Sequence, residues 1–216
     1  ERKYSRFQEG SIVSEINRAA GVRAVRVDEE TAQLLSLADT AFQESGELFD
    51  ITSGALQRAW DFRSPELPTN RSLEEALSLV GWGKVEWHEP WIYLPLPGMQ
   101  LDFGGIGKEY AVDRAGQILM QEGLESSLIN FGGDIRALGP RGGERAWQIG
   151  IRHPRRHDSP YSLLSLYRGA VATSGDYERF KIVAGKRYCH IINPLTGDPA
   201  SELQSVSTVA ESCLQA

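Results

Sequence analysis

Glycines ahead of a lysine, carboxylates just after glycines, and a histidine ahead of a tight turn are the places where this sequence could do chemistry. In "LDFGGIGKEYAVDRAGQIL", residues 101–119, Gly104, Gly105 and Gly107 lead straight into Lys108. The stretch reads as strand, glycine loop and helix. Glycines let backbone approach an anion, the helix start offers free N–H groups at a positive dipole end, and Lys108 adds a full charge. The chemistry suggested is that of a phosphate. The loop is not a P-loop, because the positions that motif gives to its first glycine and its final Ser or Thr hold Asp102 and Glu109. Nor is it a dinucleotide fingerprint, since no glycine follows Gly107 at the required spacing. Asp102 beside a phosphate repels it unless a cation or hydroxyl intervenes. It either binds a ligand N–H or caps the helix of a plain strand–helix turn.

Three further stretches carry candidates. "LINFGGDIRALG" sets Gly132 and Gly133 before Asp134. "GAVATSGDYERF" sets Thr173, Ser174 and Gly175 before Asp176. "RYCHIINPLTGDP" sets His190 ahead of a turn rich in Asn, Pro, Thr and Gly. Singly, the first reads as a hairpin or bend, the second as a turn or cap, and the third as a structural histidine on a strand.

These residues need elements to hold them. "SIVSEINRAAG" reads as a short helix stopped by Gly21. "DEETAQLLSLADTAFQESG" reads as a longer one, capped by Asp28, striped by Leu34, Leu37, Ala38, Ala41 and Phe42, and stopped by Gly46. "SPELPTNR" is a loop, after which Ser72 and Glu75 have capping-box spacing for another helix. "VEWHEPWIYLPLPG" is extended. A long helix over about 107–121 should bury Tyr110, Ala111, Ala115, Ile118 and Leu119. Strands follow at "SSLINF", "WQIGIR", "LLSLY", "RFKIVAGKRYCHII" and "LQSVSTVA", with "VAGKR" as a hairpin turn. Helices early, strands late and one long helix between them make the fold class α+β.

Composition bounds the function. The 216 residues are 41% hydrophobic, enough for one globular domain or a domain with a small lobe. A net charge of −6 carries no nucleic-acid footprint. No apolar run approaches the roughly 20 residues of a membrane span. Cys189 and Cys213 lack metal-ligand spacing. The sequence opens on "ERKYSRF" without Met and stops at "ESCLQA" just after a strand pattern, so both ends are expected to be cut.

Taken in order, "S-x-x-S-x-x-N", "G-x-x-F-D", "D-x-G-G-I-x-K-x-Y-A-V-D", "N-x-G-G-D-I-R", "A-V-A-T-S-G-D-Y-E-R" and "R-Y-x-H-I-I-x-P-x-T-G-x-P" resemble the ApbE family, the FAD:protein FMN transferases. The resemblance covers nearly the whole chain. It implies an α+β, T-fold-like sheet core with packed helices, residues 1–216 forming one flavin transferase domain incomplete at both ends. It also implies a reaction. FAD is split with the help of Mg²⁺, AMP leaves, and the FMN phosphate joins a Thr or Ser hydroxyl of a partner flavoprotein carrying a D-x-x-(S/G/A)-(S/G)-A-T type motif, such as the flavin subunits of bacterial redox pumps. Some members hydrolyse FAD or chiefly hold it, which is the alternative function. The family works in the bacterial periplasm, tethered to the inner membrane through an N-terminal lipoprotein segment that would precede Glu1.

Residue by residue, the resemblance implies roles for positions that match. Asp102 is a flavin-binding Asp, Lys108 a FAD contact, and Gly105 the position whose carbonyl binds Mg²⁺. Phe49 and Asp50 lie against flavin or adenine, and Phe7 is an aromatic surface on FAD. Asn17 influences whether FAD is hydrolysed or retained. His190 and Ile191 line the ligand, and Thr173, Ser174 and Asp176 form the TSGD turn. Asp102, Lys108 and His190 are expected at the chemistry, in a cleft lined also by Phe49 and Asp50. The family's side-chain metal ligands, an Asp and a Thr four residues later, would fall just past Ala216. Without them one carbonyl would bind Mg²⁺ weakly or not at all. "DITSGAL" comes close to the acceptor motif, but Leu56 replaces the Thr and has no hydroxyl to carry FMN.

Overall fold

In the computed structural model, which describes residues 2–156 and 158–216, the chain divides into two units. One runs to Gly105 and takes back Arg179–Ala200; the other holds Ile106–Glu178 and Ser201–Ala216. The helices are α1 (Ile12–Arg18), α2 (Glu29–Glu44), α3 (Gly54–Trp60), α4 (Asn70–Ser78) and α5 (Gly107–Gln121). The strands are β1 (Val25–Arg26), β2 (Glu86–His88), β3 (Trp91–Tyr93), β4 (Leu128–Phe131), β5 (Asp134–Ala137), β6 (Trp147–Arg152), β7 (Pro160–Leu166), β8 (Gly169–Gly175), β9 (Phe180–Val183), β10 (Lys186–Cys189) and β11 (Ser205–Ala210). All their ladders are antiparallel. The α+β class holds.

In the first unit, local chemistry sets the helix starts. Asp28 Oδ1 accepts from the Thr31 N–H at 3.0 Å and opens α2 as expected. The buried stripe of α2 is Thr31, Leu34, Leu35, Ala38 and Phe42, with Leu37 only half-buried, so the face is turned one residue from the sequence reading. The capping residue of α4 is Thr69, whose Oγ1 accepts from the Ser72 N–H at 3.1 Å. Ser72 therefore sits inside the first turn, and the expected Ser72–Glu75 box is replaced. Strands β1, β3 and β2 make a small sheet in that order. The β9–β10 hairpin turns on Ala184 and Gly185, with φ of 49° and 77°, as "VAGKR" suggested.

That hairpin is fastened to α3 and the loop after it. Lys181 is 7% exposed, and its ammonium donates to the carbonyls of Trp60, Asp61 and Glu66 at 2.8, 3.1 and 2.7 Å. The Trp60 indole N–H donates to the Gly197 carbonyl at 2.8 Å. Lys181→Met keeps the apolar stem but leaves three carbonyls without a donor. A loss of about 2–3 kcal/mol is expected, read as a lower denaturant midpoint; an unchanged midpoint would show the loop to be held by other contacts.

In the second unit the sheet order is β11-β8-β5-β4. β4 and β5 are joined through Gly132 and Gly133, with φ of 64° and 102°, and Phe131 pairs with Asp134. "GGD" is thus a two-residue hairpin that delivers Asp134 at the start of a strand. β8 carries "TSG" as strand where the sequence suggested a turn. Helix α5 packs on this sheet through Val112, beside Ile129, Leu138, Ala170 and Cys213. A Cβ at Gly116 would lie 3.0 Å from Leu138, 3.3 Å from Arg136 and 3.4 Å from Ile129. Glycine lets the helix close there, and the buried face centres on Val112, Asp113 and Gly116. Ile118, expected on that face, is 47% exposed. Tyr110, Ala111, Ala115 and Leu119 are half-buried. Strands β6 and β7 pair separately, and Ile149 and Leu166 pack with Ala137 and Val171.

Candidate functional site

In the first unit Asn17, Arg6 and Asp102 meet at the backbone before the glycine loop. Asn17, on α1, clamps Leu101 at two points: Nδ2 donates to the Leu101 carbonyl at 3.0 Å, and Oδ1 accepts from its N–H at 2.7 Å. Both ends of the amide are spent on fixing the residue next to Asp102. Asp102 Oδ2 lies 3.0 Å from Arg6 Nε, and its Oδ1 accepts from the Gly104 N–H at 2.9 Å. Asp102 is therefore neither a helix cap nor an isolated charge, because Arg6 neutralises it. Arg6 also stacks 4.6 Å over the Phe7 ring, which is 78% exposed. The Phe49 ring covers Gly105 so closely that a Cβ there would stand 2.9 Å from it. That contact, rather than a turn, explains why Gly105 is glycine.

Asp50 is committed locally. Its Oδ1 accepts from the Thr52 N–H at 2.7 Å and the Thr52 hydroxyl at 2.6 Å, and its Oδ2 accepts from the Trp82 N–H at 2.9 Å. Its carboxylate staples two loops together. His190 donates its backbone N–H to the Arg179 carbonyl at 3.0 Å. Its ring Nδ1 is 3.2 Å from the same oxygen, which fixes Nδ1 as the protonated nitrogen. Gln57 donates to the His190 carbonyl at 2.9 Å, and Ile191 is 37% exposed.

In the second unit the centre is Lys108. It lies in the first turn of α5, half exposed, with Nζ 2.6 Å from the 1%-exposed Asp134. Ile106 stands at the N-cap of the helix, and its side chain makes no capping bond. An ammonium and a helix start without a side-chain cap together suit an oxyanion. Asp134 Oδ1 also accepts from the Thr173 N–H at 3.3 Å, and the Thr173 hydroxyl is 2.8 Å from that of Ser207. Ser174 is exposed. Asp176 is gripped by both Nη atoms of Arg155 at 2.6 and 2.5 Å.

Asp113, the acid of "YAVD", is buried in this unit. Its Oδ1 accepts from Arg136 Nη1 at 2.8 Å and the Cys213 N–H at 3.0 Å, and its Oδ2 from the Leu214 N–H at 3.0 Å. It ties α5, β5 and the last turn into one network. Cys189 and Cys213 are free and buried. Burial pushes the Cys213 thiol up to about 12, so it is no nucleophile near neutral pH.

Sequence reasoning missed Arg6, Asp134 and Arg155 as partners of Asp102, Lys108 and Asp176. The motif letters held a signal only for Asp134, through its two preceding glycines. Among the described residues no three His, Cys, Asp or Glu side chains are grouped to hold a metal, and the Gly105 carbonyl alone does not satisfy a hard cation. These residues therefore do not by themselves fit Mg²⁺. Nor is any helix among them long and apolar enough to cross a membrane.

The model of the ApbE family matches residues 1–216. An FAD:protein FMN transferase of Treponema pallidum is 34% identical over 222 residues, which is 94% of this chain and 61% of that protein. One of Klebsiella pneumoniae is 33% identical over 210 residues, 94% of this chain and 65% of the relative. The chain thus spans less than two thirds of these curated relatives. The crystal structure of the ApbE protein of Thermotoga maritima matches with a TM-score of 0.92 at 37% identity, over 99% of this chain and 70% of that one. The flavin transferase ApbE of Vibrio cholerae gives 0.86 at 26% identity, over 98% and 69%. With its motifs in order and that match running from end to end, the chain belongs to the ApbE family.

Proposed function

We propose that this chain binds FAD and transfers its FMN moiety to a hydroxyl of an acceptor protein. The observation that carries the reading is Lys108, a half-exposed ammonium seated by a buried carboxylate in the first turn of a helix whose N-cap, Ile106, offers no side-chain acceptor. It suits the anionic pyrophosphate of FAD. In the reaction a Thr or Ser hydroxyl of the acceptor attacks the flavin-side phosphorus. The P–O–P bridge breaks, AMP leaves with the bridging oxygen, and the hydroxyl proton is released. Charge that gathers on the leaving phosphate is offset by Lys108. In this reading Asp102, paired with Arg6 and next to the Leu101 backbone that Asn17 holds, accepts a flavin N–H. Phe7 and Phe49 offer ring faces to the flavin or adenine. The names of the relatives support FMN as the group moved and a protein as its acceptor.

The test has two parts, binding and transfer. Titration of the protein into FAD, followed by flavin fluorescence, is expected to saturate. A peptide ending in the D-x-x-S-G-A-T motif is expected to gain the mass of FMN as AMP appears. FMN released free, with no peptide labelled, would assign hydrolysis instead. A fluorescence signal that never changes would remove FAD as the ligand.

A further inference from the structure

Glu109 follows Lys108 in the first turn of α5. Its Oε2 is buried, and no hydrogen-bond donor reaches it among the described residues. Asp134 Oδ2 is likewise buried without an aligned donor, although it forms the ion pair with Lys108. The two carboxyl groups are within hydrogen-bonding reach of each other. Two ionised carboxylates cannot bond, because both only accept. One proton between them supplies the donor that Glu109 Oε2 lacks. The Glu109 carboxyl is pushed up to about 7: burial raises it most, its own backbone N–H pulls it down, the Asp134 charge raises it and Lys108 lowers it. Asp113 on the same helix is paired with Arg136 of β5 at 2.8 Å, and the Cys213 thiol stays neutral.

We propose that Glu109 and Asp134 share one proton and together form a proton-linked counter-ion for Lys108, so that FAD binding draws a proton into the protein. This rests on the reading that Lys108 meets the pyrophosphate. When the ammonium turns to that anion, Asp134 loses part of its counter-charge, and the pair holds its proton more tightly. The sign follows: the complex carries more protons than the free protein between the pair's two titration points. FAD affinity is therefore greatest below the free pair's titration, near pH 7. It falls as pH rises through that window, by at most about tenfold per pH unit.

Carboxyl carbon NMR of the ligand-free protein tests the pair directly. A titration near neutral pH is expected. It should be absent in Glu109→Gln, where an amide donor faces Asp134, and displaced upward in Lys108→Met. Calorimetry of FAD binding at pH 7, in buffers of different ionisation enthalpy, should show a fraction of a proton taken up per FAD. Glu109→Gln should show none, and its affinity should be flat from pH 6 to 8. Absence of the neutral-range titration in the free wild-type protein overturns the shared proton. Proton uptake that persists in Glu109→Gln assigns it to another group and overturns the linkage. If FAD fails to bind at any pH, the FAD reading falls and the linkage with it, while the ligand-free titration still decides the shared proton.

Discussion

Lys108→Ala is expected to lower FMN transfer by about 10²–10³-fold, equivalent to roughly 3–4 kcal/mol of transition-state stabilisation. The size follows from what Lys108 does and where it sits. Its ammonium is positioned by Asp134 before any ligand arrives, so it need not reorganise as charge collects on the departing AMP phosphate. FAD affinity should fall by less, since ring contacts to the flavin and adenine persist. The measurement is transfer to the acceptor peptide, with AMP release followed at saturating FAD. Lys108→Arg separates charge from geometry. Arginine keeps the charge but carries a planar fork in place of a compact ammonium, and only part of the activity should return. Wild-type transfer by Lys108→Ala would reduce Lys108 to a helix-start residue.

Asp113→Ala should produce the largest loss of stability, about 3–5 kcal/mol. Three donors depend on this one buried carboxylate: the Arg136 guanidinium and the backbone N–H groups of Cys213 and Leu214. Removing it leaves a mostly buried cation uncompensated and two amides without acceptors. The midpoint of thermal unfolding is expected to drop by on the order of 10 °C. Asp113→Asn keeps acceptor capacity on one atom and should lose less. The pair Asp113→Leu with Arg136→Met removes both charges at once and should recover part of the loss, because an apolar pair carries no desolvation cost. A midpoint unmoved by Asp113→Ala would mean that Arg136 and the last turn find other partners.

What could be read in the letters was local. Asp28 and Gly46 mark ends of a helix in the sequence and do so in the structure, because capping and positive φ depend on neighbours alone, whereas α1 stops at Arg18, short of Gly21. The "VAGKR" turn was legible for the same reason. The face of α5 was not: a period of 3.6 gives a stripe, but Gly116, invisible to any apolar count, decides which way the helix leans on Leu138. Strands β5 and β8 were hidden because "GGD" read as a hairpin or bend and "TSGD" as a turn or cap, whereas the first is a two-residue hairpin that opens β5 and "TSG" lies within β8. The motifs assembled the site residues as a list. What they omitted were partners from distant sequence: Arg6 against Asp102, and Arg155 against Asp176. No spacing rule connects such pairs, since tertiary structure alone makes them neighbours. Asp50 shows the opposite case, a motif residue whose carboxylate is used up in holding its own loops.

The first unit is discontinuous in sequence, and that sets a timetable for synthesis. The carbonyls of Trp60, Asp61 and Glu66 leave the ribosome early, while Lys181, their donor, and Gly197, the acceptor for the Trp60 indole, come only after the whole stretch Ile106–Glu178 has been made. During that interval the nascent chain holds a half-finished unit with an unfilled ring of acceptors and an indole that has yet to meet its partner. Domains generally fold as units, N-terminal first. Here both units wait: the first for the β9–β10 hairpin, and the second for Ser201–Ala216, which bring β11 and the two N–H groups that Asp113 holds. The candidate site residues Asp102 and His190 belong to the first unit, so a truncated translation product ending before Arg179 would carry Asp102 without the β9–β10 hairpin or His190.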